Sequence, residues 1–204
     1  MKKSAALIAV ASVFLAGCEY SATSSIRVNS TTDSETTADA GHVNDDVKLS
    51  ILGFDEIQAL VASKRGKVVV MDAWSTACPP CMKDFHNLVE LSKQYGGDEL
   101  ACISLSFDFE GIGKPEDVQA PVLKFLQSQG AAFDNVMSNE ESDALYRKFK
   151  LNSVPAVFVY DRAGKLRERF ENEGAYAKVR SLVAELVKES PPAESASDGA
   201  SARP

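Results

Sequence analysis

From Lys67 to Trp74 the chain runs Lys-Val-Val-Val-Met-Asp-Ala-Trp, a valine-rich apolar stretch interrupted by one acid, Asp72. A strand with one wet face alternates apolar and polar residues, so an unbroken run of this kind predicts a strand buried on both faces. Such a strand needs helices on either side of its sheet, and the surrounding segments supply them. Phe54 to Val61 has helical spacing, with Ile57, Leu60 and Val61 on one side. A helix is expected from Pro79, with Met82, Phe85, Leu88, Val89 and Ser92 in one stripe and Gly96-Gly97 at its end. Leu100 to Phe107 reads as a second buried strand, and Phe133 to Met137 as a shorter one. Helices are expected at about Val118 to Ser128, Asp143 to Phe149 and Tyr176 to Val187. Ala156 to Tyr160 and Leu166 to Phe170 flank Asp161-Arg162-Ala163-Gly164 as a β-hairpin. Strands alternating with helices, then a hairpin and a helix, imply a three-layer α/β/α sandwich with a central mixed β-sheet.

The ends are of another kind. Lys2 and Lys3 precede an apolar run from Ala5 to Ala16. It is shorter than the roughly 20 residues of a membrane span and fits the apolar region of an export signal. Leu15-Ala16-Gly17-Cys18 resembles the bacterial lipoprotein box, which implies that Cys18 is lipidated and begins the mature chain. Residues 1–17 are therefore expected to be a lipoprotein signal peptide. Residues 18–48, poor in large apolar side chains, are expected to be a flexible tether reaching on the order of 30 Å. The folded domain is placed at 49–189 and a disordered tail at 190–204. The protein would then face the periplasm from the inner or outer membrane. Export puts the domain in an oxidising compartment, where a disulfide can persist. The net charge of −7 gives no basic footprint for nucleic acid.

Cys78 and Cys81, in Trp74-Ser75-Thr76-Ala77-Cys78-Pro79-Pro80-Cys81, sit where the strand gives way to a helix. A cysteine at a helix N-cap meets unpaired N–H groups and the positive end of the dipole, which stabilise a thiolate. Pro79 suits the first helical position, but neither Pro79 nor Pro80 has an N–H to give the sulfur. Haem attachment would need a histidine where Met82 stands. Zinc would need four ligands, and only Cys102, His42 and His86 remain. A purely structural disulfide in so short a loop would add little stability. An acid within the valine run should be desolvated, with a raised pKa, and could take a proton from Cys81 through water. Cys102 reads as a core thiol and His86 as a surface residue.

The segment from Val68 to Cys81 resembles the active site of the thioredoxin superfamily, in particular its TlpA/ResA-like membrane-tethered group. Val154-Pro155-Ala156-Val157-Phe158-Val159-Tyr160-Asp161-Arg162-Ala163-Gly164-Lys165 resembles the second signature of that group. Phe107 to Gln127 matches its usual insertion, and the likeness covers about residues 50–188. It implies a redox-active Cys78–Cys81 disulfide, with Cys78 the nucleophile and Cys81 the resolving thiol. It further implies that Asp72 is the buried acid, that Pro155 is cis beside the pair, and that Trp74, Val154 and Pro155 contact the partner. The group often has tryptophan directly before the first cysteine, where this chain has Ala77.

The function expected is exchange of disulfides with protein partners, in the reducing direction and fed by an upstream electron donor. The protein is expected to be a monomer needing neither cofactor nor metal. One rival is a peroxiredoxin-like peroxidase, which would want threonine where Ser75 stands. The other is a binding module whose disulfide is structural. Peroxide consumption by a Cys81→Ser variant separates the first rival, and unchanged partner binding by Cys78→Ser the second.

Overall fold

The computed structural model describes residues 46–171 and 173–190. The expected signal peptide, Cys18, the tether as far as residue 45 and the tail from residue 191 lie outside the described residues. Six strands form one sheet in the order β1-β4-β3-β2-β5-β6. They are β1 (Ser50–Leu52), β2 (Val68–Trp74), β3 (Leu100–Ser106), β4 (Asp134–Ser138), β5 (Ala156–Tyr160) and β6 (Leu166–Phe170). The first four in that order pair in parallel, while β5 pairs antiparallel with both β2 and β6. The sheet is mixed, as expected.

Every residue of β2 is buried, and its alternation builds two cores. Val68, Val70 and Trp74 point to one face, where they meet α2 (Pro79–Asp84), α3 (His86–Tyr95), α4 (Gln119–Gln129) and α6 (Tyr176–Leu186). Val69, Met71 and Ala73 point to the other, against α1 (Phe54–Ser63) and α5 (Ser142–Phe149). These are the three layers. Among the described residues, no helix is long and apolar enough to cross a membrane.

Three details depart from the sequence reading. The helix expected from Pro79 is interrupted for one residue at Phe85, although its backbone stays helical at φ −57 and ψ −33. His86 Nδ1 and the Asn87 amide take the carbonyls of Lys83 and Asp84, and Leu88 N–H turns to Phe85 O at 3.0 Å. Side chains thus compete for acceptors that the helix ladder would use. Strand β1 is an addition, three residues long at the sheet edge. The tether boundary at residue 48 is also late. Val47 is buried in the core, and the Asn135 amide donates to Lys48 O at 3.1 Å, so the packed domain includes both.

The core behind the cysteines is aromatic. Phe85 is fully buried, with ring centroids 5.1 Å from both Trp74 and Phe125. Phe85→Ala removes that ring from a site closed on all sides. The expected loss is about 3–5 kcal/mol of unfolding free energy, read from the urea midpoint of the oxidised protein.

Candidate active site

Strand β2 ends at Trp74, and the chain turns through Ser75-Thr76-Ala77 into α2. Cys78 is the N-cap of α2, with φ −110 and ψ 95. Its sulfur accepts the Cys81 N–H at 3.3 Å, the nearest donor left once Pro79 and Pro80 occupy the first helical positions. Cys78 and Cys81 are joined by a disulfide, with their Cα atoms 5.3 Å apart. The two sulfurs face different surroundings. Cys78 is half-buried, and Cys81 is buried at 3% exposure. Attack from outside can therefore come only at Cys78 while this packing holds.

The turn before Cys78 is tied down by Asp108, just past the end of β3. Its carboxylate accepts from Thr76 N–H at 2.9 Å, from the Ser75 hydroxyl at 3.2 Å and from the Thr76 hydroxyl. Ser106 Oγ donates to its second oxygen at 2.6 Å. Ser75 is spent in this network, since its hydroxyl oxygen also accepts the Ala77 N–H at 3.1 Å. A cleft of about 190 Å³ opens beside Cys78, lined by Ala77, Phe107, Glu110, Tyr146 and Val154.

The Val154–Pro155 peptide bond is cis. Pairing of Ala156 with Ala73 brings this bond to the end of β2. Val154 lines the cleft with Cys78, while Pro155 borders an internal cavity with Cys81. That cavity measures about 10 Å³, and Asp72, Asp84 and Tyr176 share its wall. Such a volume is about the smallest that holds one water.

Asp72 is buried at 4% exposure on the same face of β2 as Trp74. Burial pushes its carboxyl up from 3.8 to about 7; the Tyr176 hydrogen bond opposes this and the Asp84 charge adds to it. Tyr176 donates its hydroxyl to Asp72 Oδ2 at 2.5 Å. Cys102 is a buried free thiol, raised to about 12 by burial, with its sulfur 3.8 Å from Leu88 O. His86 is exposed.

Cys78, Cys81, Asp72, Pro155 and Val154 thus meet at one end of β2. Trp74 does not join them at the surface. It is fully buried between Phe85 and Phe125, so its side chain is a core support and not a partner contact. Sequence reasoning missed Asp108, Tyr146 and Tyr176. Asp108 could have been noticed, because it follows the carboxyl end of the neighbouring parallel strand, where α/β sheets place their sites. Tyr176 carried no such signal, lying 104 residues from its partner.

Fold and site together define a thioredoxin-like domain with a redox-capable cysteine pair. Residues 66–166 match the thioredoxin-like family, and the chain carries a domain of that family. Over 134 residues it is 27% identical to protein DipZ of Mycobacterium bovis, covering 64% of this chain and 18% of DipZ. It is 25% identical over 104 residues to the thiol-disulfide oxidoreductase ResA of Geobacillus thermodenitrificans, covering 51% of this chain and 54% of ResA. The chain thus spans under a fifth of one curated relative and about half of the other. A thiol-disulfide isomerase from Corynebacterium glutamicum has the same fold. Its structure superposes with a TM-score of 0.53 at 18% identity, over 75% of this chain and 100% of that one.

A raised carboxyl has a consequence for stability. Between pH 4 and 7 the folded chain holds a proton on Asp72 that the unfolded chain has lost, so its contribution falls as pH rises through that window. Asp72→Asn removes the penalty. Relative to wild type, the variant should gain on the order of 4 kcal/mol at pH 8 and nothing at pH 3, measured by urea unfolding of the oxidised protein at both pH values.

Proposed function

We propose that this protein exchanges disulfides with protein partners through Cys78 and Cys81, acting as a reductant. The observation that carries the reading is the asymmetry of the pair: a half-buried Cys78 beside an open cleft, and a buried Cys81 beside Asp72. In the reduced protein the Cys78 thiolate attacks one sulfur of a partner disulfide. That bond breaks, the departing sulfur takes a proton from water, and a mixed disulfide with Cys78 remains. Cys81 then gives its proton to the Asp72 carboxylate through water in the intervening cavity. The Cys81 thiolate attacks Cys78 Sγ, forming the Cys78–Cys81 disulfide and expelling the partner's second sulfur, which is protonated in turn. The partner gains two electrons and two protons, which the dithiol has lost. An upstream donor must return them. Val154 and Pro155 flank the sulfur and supply the surface on which the partner's backbone lies.

The donors available to the thiolate support this direction. A strongly oxidising pair owes its potential to a stabilised reduced form. Here two prolines withhold their N–H groups from Cys78, and Cys81 N–H at 3.3 Å is the contact left. A poorly stabilised thiolate favours the disulfide within the protein and so reduction of the partner. A peroxidase reading is disfavoured by Ser75, whose hydroxyl is committed to Asp108 and Ala77.

The anchor belongs to the same proposal. Lys2, Lys3, the apolar run to Ala16 and the Leu15-Ala16-Gly17-Cys18 box support a lipid on Cys18, holding the domain so that it faces the periplasm from the inner or outer membrane of a bacterium.

Cys78→Ser should abolish catalysis of insulin-disulfide reduction by dithiothreitol, leaving the uncatalysed rate, whereas Cys81→Ser should accumulate a partner-linked species on non-reducing gels. The potential of the couple is expected near roughly −270 mV, and a value near −120 mV would make the protein an oxidant. In cells exporting the full chain, Cys18→Ser should move the protein from the membrane fraction to the soluble one.

A further inference from the structure

Tyr176 opens α6, and its hydroxyl reaches across the core to Asp72 Oδ2. Both side chains are buried, and Val179, Val183 and Leu186 of the same helix are fixed in the core behind them. The cavity bordered by Asp72, Cys81 and Pro155 is also bordered by Tyr176, so the phenol stands beside the path of the Cys81 proton. Burial, then the charge of Asp72, holds Tyr176 well above the usual phenol range, so it remains a donor at any working pH. The groups facing Asp72 are Cys81 and Asp84 from α2, Cys102 from β3 and Tyr176 from α6. Pro155, Val157 and Ala175 complete the wall and carry no titrating group. Of these neighbours, Tyr176 is the one that stabilises the carboxylate, and Asp84 opposes it.

We propose that Tyr176 is a positioning residue for the resolving step: its hydroxyl holds one oxygen of Asp72 and keeps the carboxylate available for the Cys81 proton. The inference rests on the oxidoreductase reading above. Without the phenol, the same burial would leave Asp72 protonated at neutral pH and unable to act as a base. With it, the carboxyl titrates where it can both take a proton from Cys81 and return it. The bond balance is unchanged, because Tyr176 donates a hydrogen bond and transfers no proton.

The test uses the full chain, reduced, mixed with 5,5′-dithiobis(2-nitrobenzoate). Attack by Cys78 releases one thionitrobenzoate, and attack by Cys81 on the mixed disulfide releases the second. The second phase is followed from pH 5 to pH 10 in wild type, Tyr176→Phe, Asp72→Asn and the double variant. The Asp72 carboxyl is titrated in parallel by carbon-13 NMR on the oxidised protein.

Tyr176→Phe should move both midpoints upward by about one pH unit or more, a tenfold change in ionisation. At pH 7 the second phase should slow about fivefold, recovering above pH 9. In the Asp72→Asn background the same change should do nothing further. Site-specific 3-fluorotyrosine at position 176, a stronger donor of nearly the same size, should move the midpoints down and guards against a folding defect. A Tyr176→Phe profile lowered equally at every pH with an unmoved midpoint overturns the inference, as does an equal loss in the Asp72→Asn background. A wild type lacking the second phase sinks the oxidoreductase reading instead, while the Asp72 carbon signal still shows whether Tyr176 controls that carboxyl.

Discussion

A strand buried on both faces has no side on which to place an acid cheaply, and β2 carries Asp72 in its middle. In the ladder it stands between Ser104 on β3 and Val157 on β5. Its side chain is met by Tyr176 from the last helix. Around this residue the alternation of β2 divides the molecule into two apolar cores, and the end of the strand delivers Cys78 to the surface. Sheet, helices and site all take their places from one strand.

The same strand explains why two cysteines one turn apart have different surroundings. The loop after Trp74 leaves the sheet under the hold of Asp108, which leaves Cys78 at a cleft mouth. One turn of α2 then carries Cys81 back into the core, beside Asp72. Low polarity there disfavours charge on Asp72, and the proposed mechanism couples its proton to the electrons that pass through Cys81. The prolines act in the same sense, by denying Cys78 the N–H donors that would stabilise its thiolate. In the proposed mechanism, a buried Cys81 and a Cys78 short of N–H donors both favour the closed disulfide.

Much of this was legible in the sequence because it is written locally. The valine run, the Gly96-Gly97 stop, the hairpin about Asp161 to Gly164 and the Cys-Pro-Pro-Cys spacing each act through neighbouring residues. Strand β1 was not legible: three residues carry no period, and Ser50–Leu52 is a strand because β4 lies beside it. The break at Phe85 was hidden for a related reason. The apolar stripe is continuous there, and the competing contacts of His86 and Asn87 are hydrogen bonds that periodicity does not register. Val47 looked like tether because its neighbours are polar, yet one apolar side chain was enough to anchor the segment.

By itself, the sequence determined the layered α/β class, the candidate dithiol and the burial of an acid close to it, since all three follow from residue type and short-range spacing. Only the tertiary structure decided what surrounds that acid and which way each aromatic turns. Trp74, adjacent in sequence to the active-site turn, faces inward because β2 alternates and Phe85 and Phe125 close over it. Tyr176, distant in sequence, reaches Asp72 because packing of α6 on the sheet sets it there. Long-range contacts of this kind depend on how elements dock, and no local pattern of residues encodes that.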